Sequence, residues 1–236
     1  MKTVVITGAD RGLGLALCRE FLEKGYRVFA GQFMPEWPEL DRLRLQYPDA
    51  LQLIALDVGN PESLAKAAEE IRNCTDVVDI LINNAGITAR GEGAIGGEMD
   101  LSRSLDAFRV NCLGTMQMVR HMLPLMQTGE KRLCFISSEA GSISVCARNG
   151  FSGYCMSKTA LNMGIRLLFN RLQPQGYRFR LYHPGWMRTY MSGKKSTVGK
   201  IEAEESARVA VSQFLEDRDW EDRLVMLDCY NQAWPF

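Results

Sequence analysis

Histidine is nearly missing from this chain. Only His121 and His183 occur, too few for a His-based metal site. Net charge is missing as well: 28 Lys and Arg stand against 28 Asp and Glu. That balance gives no general attraction to nucleic acid or to an acidic membrane. No apolar run is long enough to cross a bilayer. The opening MKTVVITGAD passes straight into a β-like run, without the apolar core of a signal peptide. The seven cysteines, at 18, 74, 112, 134, 146, 155 and 229, include no CxxC pair. Such an odd, scattered set belongs to a reducing compartment, with thiols serving as small hydrophobes, and the expected location is the cytoplasm. Linkers, low-complexity tracts and internal repeats are also lacking, so a single domain over residues 1–236 is expected.

The chain does have a regular alternation. Short β-branched or apolar runs occur at Thr3–Ile6, Arg27–Ala30, Leu51–Leu56, Asp79–Ile82, Leu133–Ile136, Arg178–Tyr182 and Leu224–Leu227. Helical periodicity separates most of them, at Leu13–Glu23, from Pro61 through Ile71, at Leu105–Met126, at Ser152–Leu172 and at Glu202–Leu215. Gly25 stands where a helix C-cap is expected, and Asn60-Pro61 makes a cap and first-turn pair. Strands apolar on both faces, alternating with helices, predict an α/β fold: a doubly wound, Rossmann-like parallel sheet of about seven strands with helices on both faces.

The first strand runs into TGADRGLG, Thr7 to Gly14. A glycine cluster between a strand and a helix lets backbone approach a pyrophosphate and aims helix N-terminal N–H groups at it. Its candidate cofactor contacts are Gly8, Asp10, Arg11, Gly12, Leu13 and Gly14. The spacing differs from GxGxxG and resembles the TGxxxGxG signature of the short-chain dehydrogenase/reductase superfamily. The other motifs of that family follow in order. They are Asp57-Val58, NNAG at Asn83 to Gly86, Asn111 in VNCLG, Ser138 in FISSEAGSI, YCMSK with Tyr154 and Lys158, and HPGWMRT at His183 to Thr189. The ISSEAGSI and YxxSKxALNM wording is similar to the sniffer and C-factor-like carbonyl reductases.

The resemblance implies an NADP(H)-dependent carbonyl reductase with Asn111, Ser138, Tyr154 and Lys158 as its catalytic set. Tyr154 would protonate the developing alkoxide in reduction and act as base in oxidation. An ordinary phenol, with pKa about 10, suits neutral pH poorly. A positive charge about 4 Å away at an effective dielectric near 20 is worth roughly the 4 kcal/mol that would bring it to about 7. Lys158 or an oxidised nicotinamide ring could be that charge. The family also assigns Lys158 to the nicotinamide ribose and Ser138 to the substrate oxygen, although Ser137 competes with Ser138. Asn111 would help hold a proton-relaying water, or would serve as an amide bonded to backbone. Fifteen residues, 139–153, separate Ser138 from Tyr154, more than the family usually has. The excess makes Cys146, Arg148 and Asn149 candidate pocket lining, or else a surface bulge.

For the cofactor, VFAGQF ends the second strand without the acid that binds adenosine ribose hydroxyls in NAD members. Arg11 matches a basic position of NADP members and could pair with the 2′-phosphate. Phe33 stands where another arginine is frequent. NADP(H) is therefore preferred, and NAD(H) remains possible. By resemblance Asp57 and Val58 meet the adenine, and Asn84, Ala85 and Gly86 pass the adenosine. Pro184, Gly185, Met187 and Thr189 meet the nicotinamide end, while Asn83 bridges strands. Trp186 to Lys200 would be a short lid made amphipathic by Trp186, Tyr190 and Met191. The partner expected is a small carbonyl or alcohol, with no nucleic acid and no membrane. The terminal NQAWPF would seal the pocket or a neighbour's surface. A homodimer or homotetramer would form through the two long helices, with Met116, Met118, Met122, Met163, Leu167 and Leu168 either at that interface or in the core. A second class, a dinucleotide-sensing protein without turnover, has no need of the acid.

Overall fold

The computed structural model describes residues 1–89, 99–190 and 195–236. The alternation builds one sheet of eight strands in the order β3-β2-β1-β4-β5-β6-β7-β8. The strands are β1 Thr3–Ile6, β2 Arg27–Gln32, β3 Leu51–Ala55, β4 Ile80–Asn83, β5 Arg132–Ile136, β6 Arg178–His183, β7 Met226–Asp228 and β8 Ala233–Trp234. All pairings are parallel except that of β8, which runs antiparallel to β7. The helices are α1 Gly12–Glu23, α2 Glu39–Gln46, α3 Pro61–Cys74, α4 Leu101–Phe108, α5 Thr115–Met122, α6 Ser152–Leu172 and α7 Ala203–Leu215. Among the described residues, no helix is long and apolar enough to cross a membrane.

Alternate residues of each strand feed opposite cores. Val5, Phe29, Leu81 and Phe135 pack with Leu64 of α3, Met118 and Met122 of α5, and Ile165 of α6. Val4, Ile6, Val28 and Ile82 pack on the other face with Leu17 and Phe21 of α1, Leu40 of α2, and Phe214 of α7. Asn60 caps α3 as its residue type predicts, accepting from the N–H groups of Glu62 and Ser63. Gly25, at φ +77°, follows the last turn of α1.

Three features depart from the sequence expectations. The helix α2 is a short, mostly polar segment, and β8 has only two residues, so neither gives a strong periodic signal. The long helix begins at Leu101 rather than Leu105 and is interrupted. A π-helical turn, Arg109–Gly114, links α4 to α5, and a 3₁₀ turn, Leu123–Met126, ends it. The last parallel strand begins at Met226, two residues later than expected. Of the six apolar residues proposed for an interface, Met118 and Met122 are buried in the core, Met116 and Leu168 are half-buried against it, and Met163 and Leu167 are exposed.

Candidate active site

The parallel strands place Thr7, Asn84, Ser138 and Pro184 just beyond the C-terminal ends of β1, β4, β5 and β6, along one edge of the sheet. In an open α/β sheet that edge is where ligands bind. The Thr7 hydroxyl accepts from the N–H groups of both Asn84 and Ala85, each at 3.0 Å. Asn84 Nδ2 donates back to the carbonyls of Thr7 (2.9 Å) and Gly8 (2.8 Å). These bonds draw the two loops together, and only glycine fits between them. Gly8 lies at φ +63°, and a Cβ there would stand 2.8 Å from Ala85 Cα; one on Gly14 would stand 2.1 Å from the Gly8 carbonyl oxygen. Among the described residues no side chain caps α1, so its first-turn N–H groups, those of Gly12 to Gly14, are open to an anion. This bare cradle at a helix N-terminus fits the phosphates of a dinucleotide. Leu13 contributes backbone alone, since its side chain is buried in the core.

At the end of β2, Asp10 Oδ1 accepts from the N–H groups of Phe33 (2.9 Å) and Met34 (2.7 Å). The Arg11 guanidinium lies 4.5 Å from the centroid of Trp37 and 5.6 Å from that of Tyr190, and donates to the Tyr190 carbonyl at 3.2 Å. This aromatic clasp joins residues far apart in the chain and has no local sequence signal. Asp57 Oδ1 accepts from the Gly59 N–H at 2.8 Å. Val58 is buried against Gly114 of the π turn, where a Cβ would come within 2.4 Å of the Val58 carbonyl oxygen.

Tyr154 and Lys158 lie one turn apart on α6, and both are buried. Lys158 Nζ donates to the Ile136 carbonyl at 2.9 Å. Burial pushes this ammonium down to about 8. Asn111 is wholly buried, and its amide is taken by protein. It accepts from the Ile87 N–H (2.8 Å) and donates to the Ile87 carbonyl (2.8 Å) and Ser157 Oγ (2.9 Å). It still faces the site, since a Cβ on Gly86 would stand 3.2 Å from Asn111 Oδ1 and 3.7 Å from Lys158 Nζ. Asn83 reaches the Cys134 carbonyl of the next strand at 3.5 Å.

The Tyr154 phenol departs from the sequence arithmetic. Burial drives it above its ordinary value; a hydrogen bond with Ser138 and the Arg148 charge pull it down, and the Glu139 charge pushes it up. The two serines divide: Ser137 Oγ donates to Asn162 Oδ1 at 2.6 Å, away from the phenol, and Ser138 turns toward it. Ser138 Oγ also donates to Glu139 Oε2 at 2.6 Å and accepts from the Ala140 N–H at 3.1 Å. Arg148, from the extended loop, binds Glu139 Oε1 through Nε (2.8 Å) and Nη2. Burial raises the Glu139 carboxyl, but the bonds from Ser138 and Arg148 outweigh it and hold the group below its usual range. His183 Nδ1 stands 3.8 Å from Glu139 Oε2, with burial keeping the imidazole neutral. Cys146 instead lines an apolar cavity of about 450 Å³ with Ile143, Cys155 and Met156, while Asn149 is exposed.

Pro184 is buried, and its carbonyl accepts from Ser206 Oγ at 3.0 Å. Gly185 lies at φ +77°. Met187 pairs with Ile201 as an isolated parallel bridge, and the Thr189 methyl approaches Gly12. The proposed lid is thus tied at both ends, by Arg188 N–H to the Ile201 carbonyl (2.9 Å) and Lys200 N–H to the Trp186 carbonyl (2.7 Å). Met191 lies outside the described residues. The terminal aromatic segment folds onto its own chain. The Trp234 ring meets His183 edge-on at 5.2 Å, and Ser142 Oγ donates to the Pro235 carbonyl.

Comparison with known proteins agrees with this geometry. The family model for short chain dehydrogenase matches residues 2–198. The chain is 37% identical over 126 residues to the C-signal of Myxococcus xanthus, covering 53% of this chain and 75% of that protein. It is 34% identical over 195 residues to 17-beta-hydroxysteroid dehydrogenase type 6 of Bos taurus, covering 81% of this chain but only 58% of that longer protein. Among solved structures, the NADPH-bound carbonyl reductase from chicken fatty liver superposes with a TM-score of 0.87 at 26% identity, over 100% of this chain and 99% of that one. The carbonyl reductase Sniffer of D. melanogaster gives 0.90 at 24% identity over the whole of both chains, a likeness of fold. With its glycine cradle, buried tyrosine and lysine, and matching family model, the chain belongs to the short-chain dehydrogenase family.

Proposed function

We propose that this oxidoreductase uses NADP(H) to reduce an aldehyde or ketone to an alcohol, or to run the reverse reaction, with Tyr154 as general acid/base. The observation that carries this reading is the meeting of Ser138, Tyr154 and Lys158 at the sheet edge that also holds the glycine cradle. The dinucleotide supplies or accepts the hydride when bound. Its phosphates would lie on Gly8 to Gly14, its adenosine near Asp57, Val58 and Asn84 to Gly86, and its nicotinamide end by Pro184 to Thr189. Arg11 would meet a 2′-phosphate.

Ser138 would turn its proton from Glu139 to hold the substrate oxygen, and Tyr154 would deliver the proton to that oxygen. The buried phenol keeps that proton at neutral pH, as an acid must. Lys158 would hold the nicotinamide ribose and return a proton to Tyr154. A group that titrates near 8 can lose a proton and regain it around neutral pH. Asn111 would fix the chain beside Lys158. The NADPH-bound relative supports the cofactor choice. Trp186, exposed on the segment after β6, would favour a substrate with an apolar body, while Tyr190 packs against Arg11 and Trp37.

We further propose a cytoplasmic homodimer or homotetramer. Exposed Leu101 and Leu105 on α4, and Met163 and Leu167 on α6, would form the contact between copies.

The test is binding of NADPH and NADH to the purified chain, read by cofactor fluorescence, followed by turnover with a panel of aldehydes and ketones. NADPH binding with turnover is expected. Binding without turnover of any carbonyl or alcohol would replace the enzyme by a dinucleotide sensor, and binding of neither by folded protein would remove the cofactor reading.

A further inference from the structure

A serine hydroxyl has one proton to give. In this chain that proton already has an acceptor: Ser138 Oγ donates to the Glu139 carboxylate at 2.6 Å. The two carboxylate oxygens are divided between partners. Oε2 takes the serine, and Oε1 takes two N–H groups of Arg148. Glu139 opens the 3₁₀ turn Glu139–Gly141, just past the two serines that follow β5, and Arg148 comes from the longer stretch between Ser138 and Tyr154. Both charges act on the phenol, and the guanidinium lies 6.0 Å from the Tyr154 ring centroid. Among the described residues, the other titratable groups around the phenol are Cys155 and Lys158 on its own helix, Cys146 on the loop and His183 at the end of β6. The cysteine and histidine are neutral, since burial raises the Cys155 thiol to about 11 and lowers His183. Among the described residues, Glu139 and Arg148 are therefore the opposed full charges acting on the phenol from outside α6, while Lys158 on the same helix donates to the Ile136 carbonyl.

We propose that Glu139 and Arg148 are a positioning pair, in which Glu139 aims the Ser138 hydroxyl and holds the proton on Tyr154 while Arg148 limits how firmly it does so. A Ser138 proton held by Glu139 is withheld from the phenolate, and the Ser138 bond is what would otherwise pull the phenol down. The carboxylate charge acts in the same direction, because it opposes a second anion beside it. A protonated phenol is the form that a carbonyl reduction uses, so the pair biases the site toward reduction. This deepens the role given to Tyr154 under the proposed function and rests on it.

The experiment is a pH titration of Tyr154 itself, by NMR of protein carrying ζ-¹³C tyrosine, with the resonance assigned by its loss in Tyr154→Phe. Three variants are compared with the unmodified chain: Glu139→Gln, Arg148→Met and Arg148→Lys. Glu139→Gln should lower the Tyr154 midpoint by about half a pH unit or more, and Arg148→Met should raise it by a similar amount, allowing for solvent screening of the pair. Arg148→Lys keeps the charge and should stay near the unmodified value. If the unmodified phenol holds its proton until the chain unfolds in base, the shift is read as ionisation of Glu139→Gln below that pH. Equal midpoints in Glu139→Gln and the unmodified chain, or shifts of the same sign in Glu139→Gln and Arg148→Met, would overturn the proposal. A merely structural ion pair would not move the two in opposite directions. The titration needs no substrate, so failure to turn over any carbonyl would sink the proposed reaction while leaving this result readable.

Discussion

Lys158 Nζ donates to the carbonyl of Ile136, 2.9 Å away, at the end of the strand that leads into Ser137 and Ser138. The ammonium is buried on α6 and shifted down to about 8 from its ordinary 10.5. Below pH 8 it is charged in both the folded and unfolded chain, and burying it costs at most about 3 kcal/mol. Between about 8 and 10.5 the unfolded chain binds the extra proton, so stability rises with pH. Lys158→Met removes this cost and leaves the Ile136 carbonyl without its donor, an offset of about 1 kcal/mol. The variant should therefore match or exceed the unmodified chain in urea at pH 7, with the difference moving in favour of the unmodified chain as pH rises toward 10. A difference that stays constant with pH would remove the buried-charge account.

Tyr154→Phe deletes one oxygen and keeps the ring. Cofactor affinity should be unchanged, and turnover should fall at least ~100-fold, the usual contribution of a positioned acid. Cofactor fluorescence and steady-state rates check the two halves separately; a retained rate would exclude Tyr154 as the acid.

Arg11→Ser removes the guanidinium that Trp37 and Tyr190 hold in place. A charge-assisted bond to phosphate is worth about 1.5–3 kcal/mol, so NADPH affinity should fall about 10- to 100-fold. NADH affinity should not change. Equal losses for both cofactors would assign Arg11 to the local fold rather than to the 2′-phosphate.

Two glycines make a matched pair of controls. Gly14→Ala would place a Cβ 2.1 Å from the Gly8 carbonyl oxygen, so the cradle must open and dinucleotide binding should be lost. Gly25→Ala meets nothing within 4 Å and suffers only from its φ of +77°. It should cost about 1 kcal/mol in thermal or urea melts and leave cofactor binding intact. Intact binding in Gly14→Ala would dissociate the turn from the dinucleotide.

Much of the fold was legible because its signals are local. Apolar runs separated by helical periods gave seven of the strands, and Asn60-Pro61 announced its helix. The π turn around Asn111 was not legible, since VNCLG reads as ordinary helix and the extra residue is set by what Gly114 packs against. Glu139 was passed over because a glutamate in a turn usually faces water. Its importance comes from Ser138 and Arg148 converging on it, nine residues of chain apart in the arginine's case. Tyr154 is the instructive difference. Charge arithmetic on a one-turn spacing favoured a depressed phenol, whereas the burial that raises it depends on packing from several elements. The Arg11 clasp likewise joins residues 11, 37 and 190, which no local pattern connects.

The π turn also means that this segment carries one residue more than a regular helix would need. Removing one residue between Arg109 and Gly114 would restore a regular helix and leave α4 and α5 close to their present faces, because the wide turn absorbs the extra residue locally. Met118, Val119 and Met122 would then stay on the sheet that buries them, while Asn111, inside the turn, would be shifted from its partners at Ile87 and Ser157. A single-codon deletion here would therefore spare the core and strike the site.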